Sequence, residues 1–306
     1  MTRIGISAAV ALAATVLTGA ATPPSPPAPI DPAKVTMETV KLGPGTAVIF
    51  GAGGNIGVSY GPDGTVLIDD QFAPLTPKIT AAAAALDARP IRFVINTHWH
   101  FDHSGGNENL GKAGTLIIGH DNVRARMSTD QVIQAFNMAF PASPKEALPV
   151  VTFAAGMTLH LNGDTLKIVH VAAAHTDGDA LVKWDKANVL HTGDVFNRAG
   201  APFIDRGTGG SITGMIAGMD VAIAMTDANT KVIPGHGPVS TRADMVAYRD
   251  ALKTLLARIT AEHKAGKTLE QVLALKLEWQ AATGAVPATG LVQAIYEGLG
   301  AGSAKR

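Results

Sequence analysis

Short apolar runs, bounded by glycine- and proline-containing turns, alternate along the chain with longer segments of helical periodicity. The runs predict strands over residues 46–50, 55–60, 66–68, 91–95, 115–118, 166–171, 180–184, 189–192 and 231–233. Helical spacing predicts helices over residues 76–86 and 242–264, and residues 269–273 and 291–299 share it. Strands that lack a polar face and alternate with helices predict an α/β fold in which helices cover sheets.

The first 33 residues differ in composition from the rest of the chain. Residues 1–21 are predicted to be a signal peptide, because Arg3 precedes an apolar run that ends in small residues. An uncleaved membrane anchor is the alternative, since the apolar run is about as long as the shortest membrane span. Six prolines predict an extended, Pro-rich linker over residues 22–33. We therefore expect a folded domain over residues 34–306 in a periplasmic or secreted protein without a stable membrane anchor after cleavage.

Residue counts narrow the classes of function. Twenty-five basic and 25 acidic side chains give a formal net charge of zero, which argues against a nucleic-acid partner. The 306 residues include no cysteine, so thiolate metal sites, iron–sulfur clusters and thiol nucleophiles are excluded. Any transition metal must be held by imidazole and carboxylate groups. The expected partner is a small-molecule substrate, and the counts leave the oligomeric state open.

The pattern H-x-H-x-D-H over residues 98–103 directly follows a predicted strand. Residues two apart in extended chain point to the same side, so His98 and His100 are expected to close on one metal ion. Asp102 and His103 follow where the chain turns. They would serve a second ion or position a solvent ligand.

Three further candidates also follow predicted strands, namely His175, Asp194 and His236. Ligands collect at the carboxyl ends of strands in open α/β sheets, so the four segments are expected to converge. Five imidazoles and two carboxylates are a donor set for a pair of divalent ions. Such a pair, about 3.5–4 Å apart, activates a shared water and polarises a carbonyl or phosphoryl oxygen.

This order of motifs resembles the metallo-β-lactamase superfamily of binuclear metallohydrolases, and the resemblance covers residues 48–236. It implies a four-layer αβ/βα sandwich with the site at one edge of two packed sheets. It also implies two Zn²⁺ ions, with iron or manganese as alternatives. The ligands implied are His98, His100 and His175 for one ion and Asp102, His103 and His236 for the other.

The resemblance gives two more aspartates a role. Asp194 occupies the family's bridging-carboxylate position, and Asp69 matches an early aspartate that supports a ligating histidine. The first and last motifs are similar to those of histidine-only β-lactamases, whereas another subclass has cysteine near the position of Asp194. Asp194 itself is more similar to the aspartate of glyoxalase II, lactonases and related hydrolases.

These features predict a secreted zinc-dependent hydrolase that opens a cyclic amide, with a β-lactam as the favoured substrate and antibiotic resistance as the consequence. A metal-bridging hydroxide would attack the carbonyl, while Asp102 orients it and shuttles its proton. Hydrolysis of a lactone or thioester at the same dinuclear site is the alternative. An iron-dependent oxidoreductase acting on sulfur compounds is a further alternative, which the complete second set of ligands disfavours.

Substrate contacts are predicted at three residues near these motifs. Arg198 is suited to binding a substrate carboxylate through two hydrogen bonds, although pairing with a surface carboxylate explains it equally well. Asn197 precedes it, and Phe72 is expected to reach the mouth of the site. Residues 131–147 are predicted to form either a helix packed on the core or a lid that brings aromatic side chains over the metals.

Overall fold

The computed structural model describes residues 23–301, so the predicted signal peptide over residues 1–21 lies outside the described residues. Within the described range, none of the helices combines the length and the apolar character that a membrane span requires. The strands of this range are β1 (Glu38–Gly43), β2 (Thr46–Phe50), β3 (Ile56–Ser59), β4 (Thr65–Ile68), β5 (Ile91–Ile95), β6 (Leu116–His120), β7 (Gln131–Ile133), β8 (Met138–Phe140), β9 (Val151–Phe153), β10 (Gly156–Leu161), β11 (Asp164–His170), β12 (Ala180–Trp184), β13 (Val189–His191), β14 (Lys231–Ile233), β15 (Ser240–Thr241), β16 (Glu278–Ala281) and β17 (Gly284–Pro287). The α-helices are α1 (Thr76–Leu86), α2 (Phe101–Ser104), α3 (Asn107–Lys112), α4 (Asp121–Met127), α5 (Ile212–Ala224), α6 (Arg242–Lys264), α7 (Leu269–Leu273) and α8 (Thr289–Ala301).

Two mixed sheets form the centre of the molecule. The first has seven strands in the order β1-β2-β3-β4-β5-β6-β9, and the second has six in the order β10-β11-β12-β13-β14-β15. Strands β4, β5, β6 and β9 run parallel to one another, as do β13 and β14, and the remaining neighbours within the two sheets are antiparallel. Strands β7 and β8 form a separate hairpin, and so do β16 and β17.

Three apolar clusters separate the layers. Ile68 and Ile95 of the first sheet pack against Ile168 and Trp184 of the second. The outer face of the first sheet packs against α1 and α3, and the outer face of the second packs against α5, α6 and α8. Because an apolar interface lies on both sides of each sheet, the order of layers is helix, sheet, sheet, helix. The predicted four-layer αβ/βα sandwich is confirmed.

Local sequence explains why the longest helix begins where it does. Thr241 accepts a hydrogen bond from the backbone N–H of Asp244, and the Asp244 carboxylate accepts one from the N–H of Thr241. This reciprocal capping satisfies two donors that the first turn leaves free. Helix α6 occupies the predicted range, Arg242–Lys264.

The prediction of a helix over residues 131–147 is wrong. The segment forms the hairpin of β7 and β8, followed by a short 3-10 turn at Lys145–Ala147. Asn137 adopts the left-handed conformation, with a φ of 50°, and this closes the hairpin. Pro141 and Pro144 then prevent the chain from continuing as a helix.

Part of the predicted linker is held against this hairpin. The N–H of Ser25 donates to the carbonyl of Asn137 at 3.1 Å, and the N–H of Ala139 donates to the carbonyl of Ser25 at 2.9 Å. The neighbours of Ser25 on both sides are prolines, which have no N–H to donate. Ser25 is therefore the position at which this stretch pairs with a strand, and the segment is not a free tether along its whole length.

Candidate metal centre

The structure brings the predicted ligand segments together at one edge of the two sheets. Strands β5, β11, β13 and β14 each end shortly before one of these segments. All seven predicted side chains belong to groups whose donor atoms lie within 4.8 Å of one another. The convergence expected from strand ends is thus present, and the role of each side chain as a ligand stays a prediction.

The first set consists of His98, His100 and His175, and all three are buried. His100 Nδ1 and His175 Nε2 lie 2.8 Å apart. The ring of His98 packs edge-on against both, with centroid distances of 4.8 and 4.7 Å. Three imidazoles therefore face one point in a water-poor environment.

The second set consists of Asp102, His103 and His236. His103 Nε2 lies 3.2 Å from His236 Nε2, and His236 Nε2 lies 3.3 Å from Asp102 Oδ2. His103 is fully buried, whereas the side chains of Asp102 and His236 are 21% and 20% exposed. This set is consequently the part of the site that solvent reaches.

Asp194 lies between the two sets. Its Oδ2 is 3.8 Å from His175 Nε2 of the first set and 3.4 Å from His236 Nε2 of the second. Its Oδ1 is 3.2 Å from His103 Nε2. One carboxylate thus faces donor nitrogens of both sets, which is the arrangement that a bridging ligand requires.

A carboxylate orients the ring of His103 from the side opposite the centre. Asp69 Oδ2 contacts His103 Nδ1 at 2.7 Å, so Asp69 occupies the supporting position predicted for it. Asp69 is fixed in turn by the N–H and the hydroxyl of Thr97, which donate to its two oxygens at 2.7 and 2.8 Å. A carboxylate partner of this kind sets the orientation and basicity of a ligating imidazole.

Two supporting carboxylates were missed from the sequence. Asp205 Oδ2 lies 3.0 Å from His100 Nε2 and accepts a hydrogen bond from the Thr208 hydroxyl at 2.7 Å. Asp179 accepts from the backbone N–H of His175 at 2.6 Å. The available signals were weak, namely an Asp-x-x-Thr turn at 205–208 and the acidic end of the His175 segment.

The electrostatics differ between the sets. Burial lowers the pKa of His98 well below its usual range, and burial beside His100 lowers the pKa of His175 to about 4. In the second set burial also disfavours the protonated imidazole, but the negative charge of Asp194 outweighs the effect of burial and raises the pKa of His236 to about 10. Three carboxylates, Asp194 foremost, raise the pKa of His103 well above its usual range in the same way. His98 and His175 are therefore held neutral, whereas His103 and His236 are held as cations.

Two unpaired atoms indicate that these side chains fit a metal centre. His98 Nε2 is buried without a hydrogen-bond partner, and Asp194 Oδ1 is buried without a hydrogen bond of acceptable geometry. A buried polar atom left unpaired costs about 1–3 kcal/mol, which a metal–ligand bond would offset. Gly54 and Gly235 leave room for His103 and Asp194 at the centre, because a Cβ atom at either glycine would clash with His103 or Asp194 respectively. Imidazole and carboxylate donors suit zinc, and they suit iron and manganese as well.

The three residues predicted to contact the substrate have different partners in the structure. Arg198 Nη1 donates to Asp244 Oδ1 at 2.9 Å, which is the pairing with a carboxylate that the sequence left open. Asn197 Oδ1 accepts from the N–H of Ala199 at 2.8 Å and so closes its own turn. Phe72 is half-buried beside the backbone of Gly53, which also adjoins Asp102. All three lie near the second set, because the N–H of Arg198 also donates to the carbonyl of His236 at 2.9 Å and Asn197 pairs with the backbone of His236.

Comparison with known proteins agrees with this geometry. The sequence profile of the Metallo-beta-lactamase superfamily matches residues 49–260, more than half of the chain. A hydroxyacylglutathione hydrolase from Anaeromyxobacter dehalogenans is 28% identical over 191 residues, which cover 61% of this chain and 65% of that relative. A second, from Polaromonas sp., is 26% identical over 202 residues, covering 64% and 68% respectively. The match to the first relative thus spans slightly less than two thirds of its length.

Solved structures share the fold at low sequence identity. A metallo-beta-lactamase from Pontibacter korlensis has a TM-score of 0.59 and 18% identity, covering 71% of this chain and 99% of that one. The stereoselective inverting sec-alkylsulfatase from Pseudomonas sp. has a TM-score of 0.64 and 18% identity, covering 85% and 50%. At such identities the likeness shows the fold alone.

The chain belongs to the metallo-β-lactamase superfamily. Members of this superfamily are metal-dependent hydrolases with a dinuclear site that typically holds zinc. The predicted family and the predicted class of enzyme are therefore confirmed. The substrate, the metal identity and the cellular location stay predictions.

Proposed function

We propose that this protein hydrolyses a carboxylic thioester or lactone at a dinuclear zinc site. The observation that carries the proposal is the position of Asp194, whose carboxylate faces His175 of one set and His103 and His236 of the other. Both curated relatives carry the name hydroxyacylglutathione hydrolase, which describes a thioester hydrolase. Their identity to this chain supports the type of bond and leaves the acyl group open.

The metal ions and Asp102 would make different contributions to such a reaction. Two divalent ions held by these residues would supply Lewis acidity and lower the pKa of a coordinated water. Asp102 is the more exposed of the two carboxylates in the centre, so water and substrate reach it first. Burial raises the pKa of Asp102, but the charges of His103 and His236 outweigh it and lower the pKa to about 2. Asp102 therefore stays ionised and is suited to orienting a water molecule through a hydrogen bond.

The β-lactam favoured from sequence stays a prediction. The lactamases among the solved structures support the fold, and their 14–18% identity carries no substrate. A nucleophile attacks an acyl carbonyl in a cyclic amide, a lactone and a thioester alike, so one experiment compares hydrolysis of these three bonds. The iron-dependent oxidoreductase, the alternative of another class, is disfavoured by the family's hydrolase activity and by the complete second set of predicted ligands.

We also propose that the mature protein is periplasmic or secreted, because of the signal-like composition of residues 1–21. Expression of the full chain in a Gram-negative host, followed by fractionation and N-terminal sequencing, tests this. A periplasmic protein that begins near residue 21 supports cleavage. Full-length protein in the membrane fraction contradicts it.

The hydrolase proposal is tested with protein loaded with defined zinc and a panel of three substrates. The panel contains a glutathione thioester, an acyl-homoserine lactone and a chromogenic cephalosporin, each assayed with and without chelator. We expect chelator-sensitive hydrolysis of the thioester or the lactone that exceeds hydrolysis of the cephalosporin. Faster turnover of the cephalosporin would replace the proposal with the β-lactam prediction. No turnover of any substrate by protein that holds two zinc ions would overturn it.

A further inference from the structure

Phenylalanine is unevenly distributed in this protein. The chain has nine phenylalanines, and five of them surround the ligand segments, namely Phe72, Phe101, Phe136, Phe140 and Phe203. None of these five is buried. Partly exposed aromatic rings beside a site usually bind an apolar group. The question is which of them lie where a substrate would meet the predicted ligands.

Phe203 packs directly on the first ligand set. Its ring stacks on His100 at a centroid distance of 5.9 Å and at an angle of 29°, and it meets the ring of His175 at 5.6 Å. The carbonyl of Phe203 also accepts a hydrogen bond from His175 Nδ1 at 2.8 Å. The position of this ring relative to the centre is thus fixed by the ligands themselves.

Phe136 extends this apolar surface outward. Its ring lies 4.7 Å from that of Phe203, and the residue is 52% exposed. It is the one aromatic residue among the exposed large apolar residues of the described chain. Because Phe136 is contiguous with Phe203, which packs on His100 and His175, the two rings form an apolar surface that reaches from solvent to the ligand segments.

The hairpin of β7 and β8 holds Phe136 in place. Ile133, just before the turn, is 1% exposed and packs in the cluster that contains Trp99. Phe140, after the turn, packs on Trp99 at 5.9 Å and on Phe101 at 4.9 Å. Both ends of the tip are therefore anchored to the loop that carries His98 and His100, and a ring at the tip has a defined distance from the centre.

We infer that Phe136 and Phe203 form an apolar wall that binds the acyl or aryl group of the substrate beside its scissile carbonyl. This inference rests on the proposed function and specifies its substrate class as thioesters or lactones of apolar acids with several carbons. The name of the curated relatives refers to a hydroxyacyl group, which carries a polar hydroxyl. The substrate inferred for this protein is more apolar than that group.

The test uses zinc-loaded full-length protein and thioesters with one leaving group and acyl chains of two, four, six and eight carbons. Each methylene buried against the wall is expected to raise kcat/KM by up to about fourfold, mainly through KM. In the Phe136→Ala variant we expect the preference for octanoyl over acetyl to fall by about tenfold, since several methylenes lose their partner. Phe136→Leu should retain most of the preference.

Matched measurements separate the wall from a merely structural role. Val150 is 61% exposed and lies on the chain segment before β9, so Val150→Ala is the control and should leave the preference intact. Zinc content and melting temperature should be equal in wild type and Phe136→Ala. A wild-type protein without chain-length preference, or an equal loss on all chain lengths in Phe136→Ala, would overturn the inference.

A binding measurement distinguishes failure of the wall from failure of the proposed hydrolysis. Calorimetry with acetate, butanoate, hexanoate and octanoate needs no turnover. Tighter binding of octanoate than of acetate, abolished in Phe136→Ala, supports the wall even when no thioester is hydrolysed. Equal binding of all four carboxylates contradicts the wall, whatever the enzyme hydrolyses.

Discussion

The two ligand sets differ in how they are enclosed. His98 and His175 are each 1% exposed, and the rings of His100 and His175 are held from behind by Asp205 and the carbonyl of Phe203. In the second set the side chain of His236 is 20% exposed. The first set is thus sealed, and the second is open.

This difference indicates a division of roles. A closed arrangement of neutral imidazoles favours permanent retention of an ion, whereas a site with an accessible side is where water and substrate exchange. The pKa directions support the same division, because burial keeps His98 neutral while Asp194 keeps His236 protonated. Asp194 contacts both sets and couples them.

The largest effect is expected from removing the carboxylate of Asp194, which faces both sets. Asp194→Ala removes the carboxylate that faces both sets, so the protein should retain at most one of two zinc ions and hydrolyse no faster than chelator-treated wild type. Elemental analysis and the substrate panel measure this, and a thermal melt verifies the fold. Asp194→Asn is the control, since it keeps the shape and removes the charge. Full activity in Asp194→Ala would contradict a shared carboxylate.

Acid is expected to separate the two sets. The pKa of His236 is raised to about 10, so protons compete with an ion at this histidine throughout the neutral range. The pKa of His175 is lowered to about 4, so protons compete in the first set only near that pH. On lowering the pH from 8 to 5 against a fixed chelator, one zinc ion per chain should be lost first and the other retained. Simultaneous loss of both ions would show that the sets do not differ in this way.

A smaller effect is expected from weakening the sealed set from behind. Asp205→Ala removes the partner of His100 Nε2, and loss of such a partner typically lowers metal affinity about 10–100-fold. Titration with a competing zinc indicator measures it. Asp177 is a nearby carboxylate that pairs with Arg126, so Asp177→Ala serves as the control. If Asp205→Ala binds zinc as tightly as this control does, the orientation of His100 does not depend on Asp205.

The sequence predicts the parts of this site whose residues lie in short local motifs. The predicted ligands lie in short motifs after strands, so strand prediction and the order of residues 98–103, His175, Asp194 and His236 were sufficient to predict that these side chains converge. Asp205 was missed because it follows no strand and reaches His100 across more than 100 positions. Such a contact is defined by tertiary structure, and no local pattern marks it.

The hairpin of β7 and β8 shows the same limit in the fold. Its apolar residues are too few to separate a helix from short strands, so the pattern was compatible with both. Its pairing with Ser25 joins residues from two distant parts of the chain. Nine of the thirteen strands of the two sheets were predicted, because uninterrupted apolar runs between turns are typical of strands that are buried on both faces. Strands β1, β9, β10 and β15 have exposed positions and were missed.

The smallest effect is expected at Arg198, beside the open set. Its guanidinium pairs with Asp244, so Arg198→Ala should change KM by less than about twofold and stability by at most about 1 kcal/mol, as is usual for partly exposed ion pairs. Kinetics on the preferred substrate and a denaturant melt measure both quantities, with Asp244→Ala as the matched variant. A tenfold rise in KM in Arg198→Ala alone would restore the substrate contact predicted from sequence.

The dinuclear centre is tested most directly by a crystal structure of zinc-loaded protein with anomalous data collected at the zinc edge. We expect two zinc peaks, one on His98, His100 and His175 and one on Asp102, His103 and His236, with the Asp194 carboxylate between them. A single peak, or two peaks without contact to Asp194, would contradict the dinuclear centre on which the proposed hydrolysis depends.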